Sequence, residues 1–133
     1  MHESTLRDFF SGAIDAVALR KDFIGTLTVG EDALEYDIVK MGEPFRVIPR
    51  HLVRLCDAIL DRSLPAEILK PIGFCVVASD NFAWADTSTG DLVGQTINDW
   101  ASPETSYPLT RTNIELFRER LVTGKDVLKK RAR

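Results

Sequence analysis

Histidine, cysteine and tryptophan are scarce in this chain, with two of each among 133 residues, and there is no long apolar run. Each shortage excludes something. Zinc asks for three or four ligands, usually in close pairs such as CxxC or HxxxH. The chain offers only His2, His51, Cys56 and Cys75, and His51 and Cys56 stand five apart, so no metal site and no cofactor are expected. The longest apolar stretch, Ile72 to Ala78, falls far short of the roughly 20 residues that cross a bilayer. The opening "MHESTLRDFFSGAIDAV" is broken by acidic residues and has no apolar segment of the kind a signal peptide carries. These features lead us to expect a cytoplasmic protein without membrane association. Cys56 falls on an apolar helix face and Cys75 in an apolar run, where thiols pack as small hydrophobes and stay reduced.

Catalytic signatures are missing as well. No GxSxG elbow, GxGxxG or GxxxxGK[ST] occurs, and "TGKD" at 123–126 lacks the upstream glycine a phosphate loop requires. Cys75 with His51 is the one cysteine-based pairing away from the terminus, and an apolar setting raises a thiol's pKa and hides it. No catalytic residue is assigned, and the inventory favours a role other than catalysis.

What is present is ordinary globular composition, 44% hydrophobic and 28% charged, at a length suited to a single domain over residues 1–133. The charge is segregated. Residues 1–117 carry 10 Lys/Arg against 18 Asp/Glu, a net of −8, whereas residues 118–133 carry 7 against 2, a net of +5. An acidic body repels nucleic-acid phosphate and steers encounters with basic proteins. The basic end reads as a solvated helix terminus whose cations complement the helix dipole.

Periodicity divides the chain into elements. Leu6, Phe9, Phe10, Ala13, Ile14 and Val17 make one amphipathic stripe, capped by Ser4 or Thr5. "DFIGTLTVGEDALEYDIVKMGEPFRVI" reads as strands, with Leu34, Tyr36 and Ile38 alternating against Glu35 and Asp37. Pro49 opens a second helix with Leu52, Leu55, Cys56, Ile59 and Leu60 on one face. "IGFCVVAS" reads as a central strand, and Phe82 to Trp84 as its hairpin neighbour. A helix from Leu92 to Trp100 follows, and a last one is marked by Thr112 and Glu115 as a capping box and by Gly124 at its end. The order predicts an α+β domain with a four- or five-stranded mainly antiparallel sheet, its helices packed on one face.

Two candidate sites emerge. Arg54, Asp57 and Asp61 share the polar face of the second helix and, with Glu35 and Asp37, form an acidic surface for a basic partner. Trp84, Asp86 and Trp100 belong to "DNFAWADTSTGDLVGQTINDW", a possible pocket lining. That stretch is no calcium loop: counted from Asp86, Gly90 falls at the fifth position and Ile97 at the twelfth, where a glutamate is needed. Turn chemistry explains its Asp, Ser, Thr and Gly residues more simply, and both tryptophans read as core. The function expected is a non-enzymatic protein-binding or accessory module of bacterial type, neutralising a basic partner as an immunity protein does. The alternatives are a small-molecule binder or enzyme built around Trp84, Asp86 and Trp100, or oligomerisation through an exposed strand or the last helix.

Overall fold

A computed structural model of the chain describes residues 1–25 and 38–128, together with the backbone of two short strands at 27–29 and 34–36. The expected sheet does not form. Among the described residues six α-helices dominate, and extended pairing is limited to two two-stranded ladders and one isolated parallel bridge between His2 and Val39. β1 (Leu27–Val29) runs antiparallel to β2 (Leu34–Tyr36), with Leu27 opposite Tyr36, while β3 (Phe45–Arg46) runs parallel to β4 (Phe82–Ala83), with Phe45 opposite Phe82. The turn read at "VGEDA" lies outside the described residues.

The largest correction concerns "IGFCVVAS". This run is α4 (Leu69–Ala78), entered through a 3-10 turn at Ala66–Ile68. A short apolar run fits a buried strand or a buried helix equally well, and periodicity alone does not separate them. Contact with α5 (Ser88–Ala101) makes it a helix: Ile72, Gly73, Cys75 and Val76 are buried, whereas Phe74 and Val77 face outward. Gly73 is the point of closest approach, since a Cβ there would lie 2.7 Å from the Ala101 nitrogen and 3.0 Å from the Ile97 oxygen.

The first stripe also divides. α1 (Glu3–Phe10) ends at Ser11, Gly12 turns the chain at φ +84, and Asp15 restarts it by accepting a bond from the Ala18 N–H at the head of α2 (Ala16–Gly25). Ser4 and Thr5 lie inside α1 instead of capping it, and Val17 is exposed. Asx capping at Asp15 and a left-handed glycine outweigh a periodicity that would have run on.

α3 (Pro49–Leu60) and α6 (Arg111–Thr123) form with the expected apolar faces and pack on each other. The α6 cap is Thr110, whose hydroxyl accepts from the Asn113 N–H at 3.2 Å, so the helix starts two residues before the position the Thr112–Glu115 spacing predicts. Gly124 closes it in the left-handed conformation, its N–H donating to the Arg120 carbonyl. The core runs from Leu6 and Phe9 through Leu52, Leu55 and Ile72 to Trp100 and Phe117.

Gly73→Ala tests the α4–α5 contact. Alanine gains about 1 kcal/mol of helix propensity, but the new methyl meets backbone, which cannot move aside as a side chain would. Overpacking of this kind costs about 1–3 kcal/mol. We expect a net loss of stability, read as a lower urea midpoint at unchanged slope.

Candidate functional site

An open groove of about 930 Å³ lies between the α1–α2 corner and α3. Its walls follow from local chemistry. Arg54 holds the corner in place: its Nε donates to the Phe9 carbonyl at 2.8 Å and its Nη2 to the Ile14 carbonyl at 3.2 Å, while the guanidinium stacks 4.7 Å from the Phe9 ring centroid. Phe9 lies in the last turn of α1, where carbonyls lack i+4 partners, and its carbonyl accepts from the Gly12 N–H at 3.1 Å as well as from this side chain of α3.

The floor is aromatic. His51 stacks on Phe10 at 5.5 Å between ring centroids and tilts against Phe45 at 5.1 Å, and Phe82 meets both phenylalanines edge-on. His51 Nδ1 accepts from the Ile48 N–H at 3.1 Å, the N3 half of a capping box, while the His51 N–H donates to the Ile48 carbonyl because isoleucine has no side-chain acceptor for it. Burial, aided by the positive charge of Arg50, pushes the His51 pKa below its ordinary 6.5. The ring is neutral because the acceptor role and the apolar stack both disfavour a second proton.

Charge is sorted along the groove. Arg46 and Arg50 stand at the N-terminal end of α3, both exposed and without an ion pair among the described residues. Asp57 and Asp61 stand towards its C-terminal end, and Asp15 faces in from the head of α2. Asp57 receives Arg118 Nε at 2.5 Å. Asp61 terminates α3, its Oδ1 accepting from the Ser63 N–H at 2.8 Å, and the Ser63 hydroxyl, aided by that N–H, holds its carboxyl below the usual range.

Three of the five residues expected to form a partner surface, Arg54, Asp57 and Asp61, therefore line one groove. Arg54 acts there as a strut. The backbone of Glu35, in β2, pairs with Thr28 of β1, but its side chain is outside the described residues, as is Asp37. The second set is spread out. Trp100 is fully buried, Trp84 is half-buried with its indole against Gly94, and Asp86 is exposed just before Thr87, the N-cap of α5. None of the three lines the groove.

Sequence reasoning missed His51, Phe10, Phe45, Arg46 and Arg50 as groove residues. One signal was available: Arg46, Arg50 and Arg54 recur every fourth residue across "FRVIPRHLVR", which aligns them along one side of a helix and its entry. The aromatic floor left no such trace, because Phe10 comes from a segment distant from Phe45 and His51, and Phe82, which backs them, from a third.

Both cysteines are free and buried, and burial pushes each thiol up to about 12. Among the described residues no three of His, Cys, Asp and Glu gather as a metal set. No helix among them is long and apolar enough to cross a membrane. The chain matches no protein-family model, no curated protein and no solved structure.

Two measurements check this chemistry. Because folding lowers the pKa of His51, the unfolded state binds more protons just below pH 6.5, so stability falls as pH drops through that value and levels off below the folded pKa. His51→Phe keeps the stack but strands the Ile48 N–H; it is expected to lose about 1–3 kcal/mol at neutral pH and to show a flatter slope in that window. Second, a thiol reagent in mildly alkaline buffer is expected to leave Cys56 and Cys75 unmodified in the native protein and to modify both in denaturant, because thiolate is the reactive form.

Proposed function

We propose that the protein is a non-enzymatic protein-binding module that seats a charged segment of a partner in the groove along α3. The observation that carries this reading is the arrangement of Asp15, Asp57 and Asp61 around one end of that groove. Helix dipoles favour anions at N-termini and cations at C-termini, by roughly 0.3–1 kcal/mol each. α3 does the reverse, with no acidic residue in its first turn and no basic one in its last. Asp57 and Asp61 add to the negative end of the dipole, and Arg46 and Arg50 add to the positive end. Such an arrangement weakens the isolated helix and strengthens the field along the groove, which favours a partner segment of opposite polarity.

A basic stretch of the partner occupies the aspartate end, in keeping with the acidic body of the chain. Neutralisation of that partner by covering its basic surface, in the manner of an immunity protein of bacterial type, is the biological role we infer. A reducing, cytoplasmic setting suits the two unpaired thiols.

The test is capture from an extract of the source cells on the immobilised chain at low salt, followed by titration calorimetry with the partner recovered. The double variant Asp15→Lys, Asp61→Lys serves as the control. Reversal of two rim charges is expected to weaken binding by about tenfold or more, chiefly through a slower on-rate, and to flatten its salt dependence. No retained protein at low salt, or equal retention by the variant, rules the proposal out.

A further inference from the structure

Two guanidinium groups and one ring N–H line the N-terminal end of the groove with nothing to bind. Arg46 closes β3 and Arg50 is the second residue of α3; both are exposed, and neither side chain makes a hydrogen bond or ion pair among the described residues. His51, next in α3, is only 8% exposed. Its Nδ1 accepts from the Ile48 N–H, so the neutral ring carries its proton on Nε2. Nε2 has no hydrogen-bond partner among the described residues, yet it is not one of the polar atoms sealed inside the fold, so it opens on the groove that the ring lines. The bond to Ile48 and the packing on Phe10 and Phe45 fix where this donor points. Arg50 stands close enough for its charge to disfavour a second proton on the same ring.

We infer that this end of the groove is a small-molecule site for a single oxyanion, a carboxylate or a phosphate ester, joined to an aromatic body. The donors select the anion. A guanidinium presents N–H groups in a fork that matches either oxyanion, and the His51 Nε2–H adds a fixed third direction. The site also lies at the positive end of the α3 dipole, whose first turn holds no acidic residue to compete for it. The walls select the body, because Phe9, Phe10, Phe45 and Val53 line the groove beside the donors. The opposite end sets the size: Asp15, Asp57 and Asp61 stand there, so an extended polyanion such as a nucleic acid is repelled where a lone oxyanion is not. The site shares the groove with the partner-binding reading but does not rest on it. That reading is tested at Asp15 and Asp61, this one at Arg46, Arg50 and His51.

NMR titration of the full chain at neutral pH and low salt decides the matter, with benzoate, phenyl phosphate and benzyl alcohol as probes. Benzoate or phenyl phosphate is expected to move the imidazole signals of His51 saturably in the millimolar range, while those of His2, which does not line the groove, stay in place. Whichever of the two binds tighter identifies the oxyanion the site prefers. Benzyl alcohol, the same body without the charge, is expected to leave His51 unmoved. Arg46→Gln with Arg50→Gln, two changes at exposed positions, is expected to weaken binding by about tenfold. His51→Asn keeps an acceptor for the Ile48 N–H but has no donor in the Nε2 position, and is expected to weaken it by about fivefold, read on the backbone amides of the groove. Three results overturn the inference: no saturable shift with either anion, an equal shift with benzyl alcohol, or binding that survives the double arginine variant. A chain that binds the anion yet retains no protein from the extract upholds this site and sinks only the partner-binding reading.

Discussion

Gly73 lets α4 lie so close to α5 that a methyl group in its place would stand 2.7 Å from the Ala101 nitrogen. Much of the molecule follows from that contact. It fixes α4 as a helix, because an extended run through Gly73 would not present Ile72, Cys75 and Val76 together to the core. It also sets which side of α4 is left over, and that side carries Phe74 and Val77. Two more glycines make a second crossing possible. A Cβ on Gly90 would overlap the Ala85 carbonyl, and one on Gly94 would lie 2.8 Å from the Trp84 indole nitrogen. Residues 84 and 85 therefore cross α5 over a notch of two glycines one turn apart. The Asp/Thr/Ser/Gly-rich centre of that stretch is a helix cap, with the Thr87 hydroxyl accepting from the Gly90 N–H, followed by a place to pack.

The join between α5 and α6 depends on a buried cation. Arg120 is 1% exposed; its Nη2 donates to Thr96 Oγ1 at 3.0 Å and to Asp99 Oδ2 at 2.8 Å, and the guanidinium lies over the Phe117 ring. Burial pushes the Asp99 pKa up, and Arg120 pulls it back. The arginine's Nε and Nη1 are buried without a hydrogen-bond partner among the described residues. A buried ion pair of this kind adds little net stability, yet losing one member strands the other in a dry core. Trp100 and Phe117 meet edge-on at 5.9 Å.

That arginine also revises the charge map. The basic excess of residues 118–133 suggests a cationic tail, but Arg120 is internal and Arg118 reaches back to Asp57. Summed charge along a sequence says nothing about which charges face each other after folding. The faces of α3, α5 and α6 were legible because each alternates apolar and polar residues at helical spacing. The α4 helix was not, because its run is apolar on nearly every side, including the side that stays exposed. The strand reading failed for a related reason: alternation at Leu34 to Ile38 marks a ladder of only three residues, and nothing local says how many neighbours a strand will find. The cap at Thr110 was missed in favour of Thr112 because both residues begin a plausible first turn, and the choice is settled by Asn113, whose Nδ2 donates to the Pro108 carbonyl.

The same limit governs the groove. Arg54, Asp57 and Asp61 were visible as one helical face, but their roles differ in ways that spacing does not encode. Arg54 is consumed in holding Phe9 and Ile14, and the exposed Asp57 is held by Arg118, which leaves Asp61 and Asp15 as the groove anions without an ion pair among the described residues. Both of these also satisfy backbone N–H groups, at Ser63 and Ala18. A carboxylate held in that way keeps its orientation and its charge while its remaining lone pairs stay open to solvent. Fixed charges lose less conformational entropy on binding than free ones, so the residues that terminate α3 and start α2 are already arranged to receive a cation, and a change that loosened either cap would weaken the groove without touching its charge.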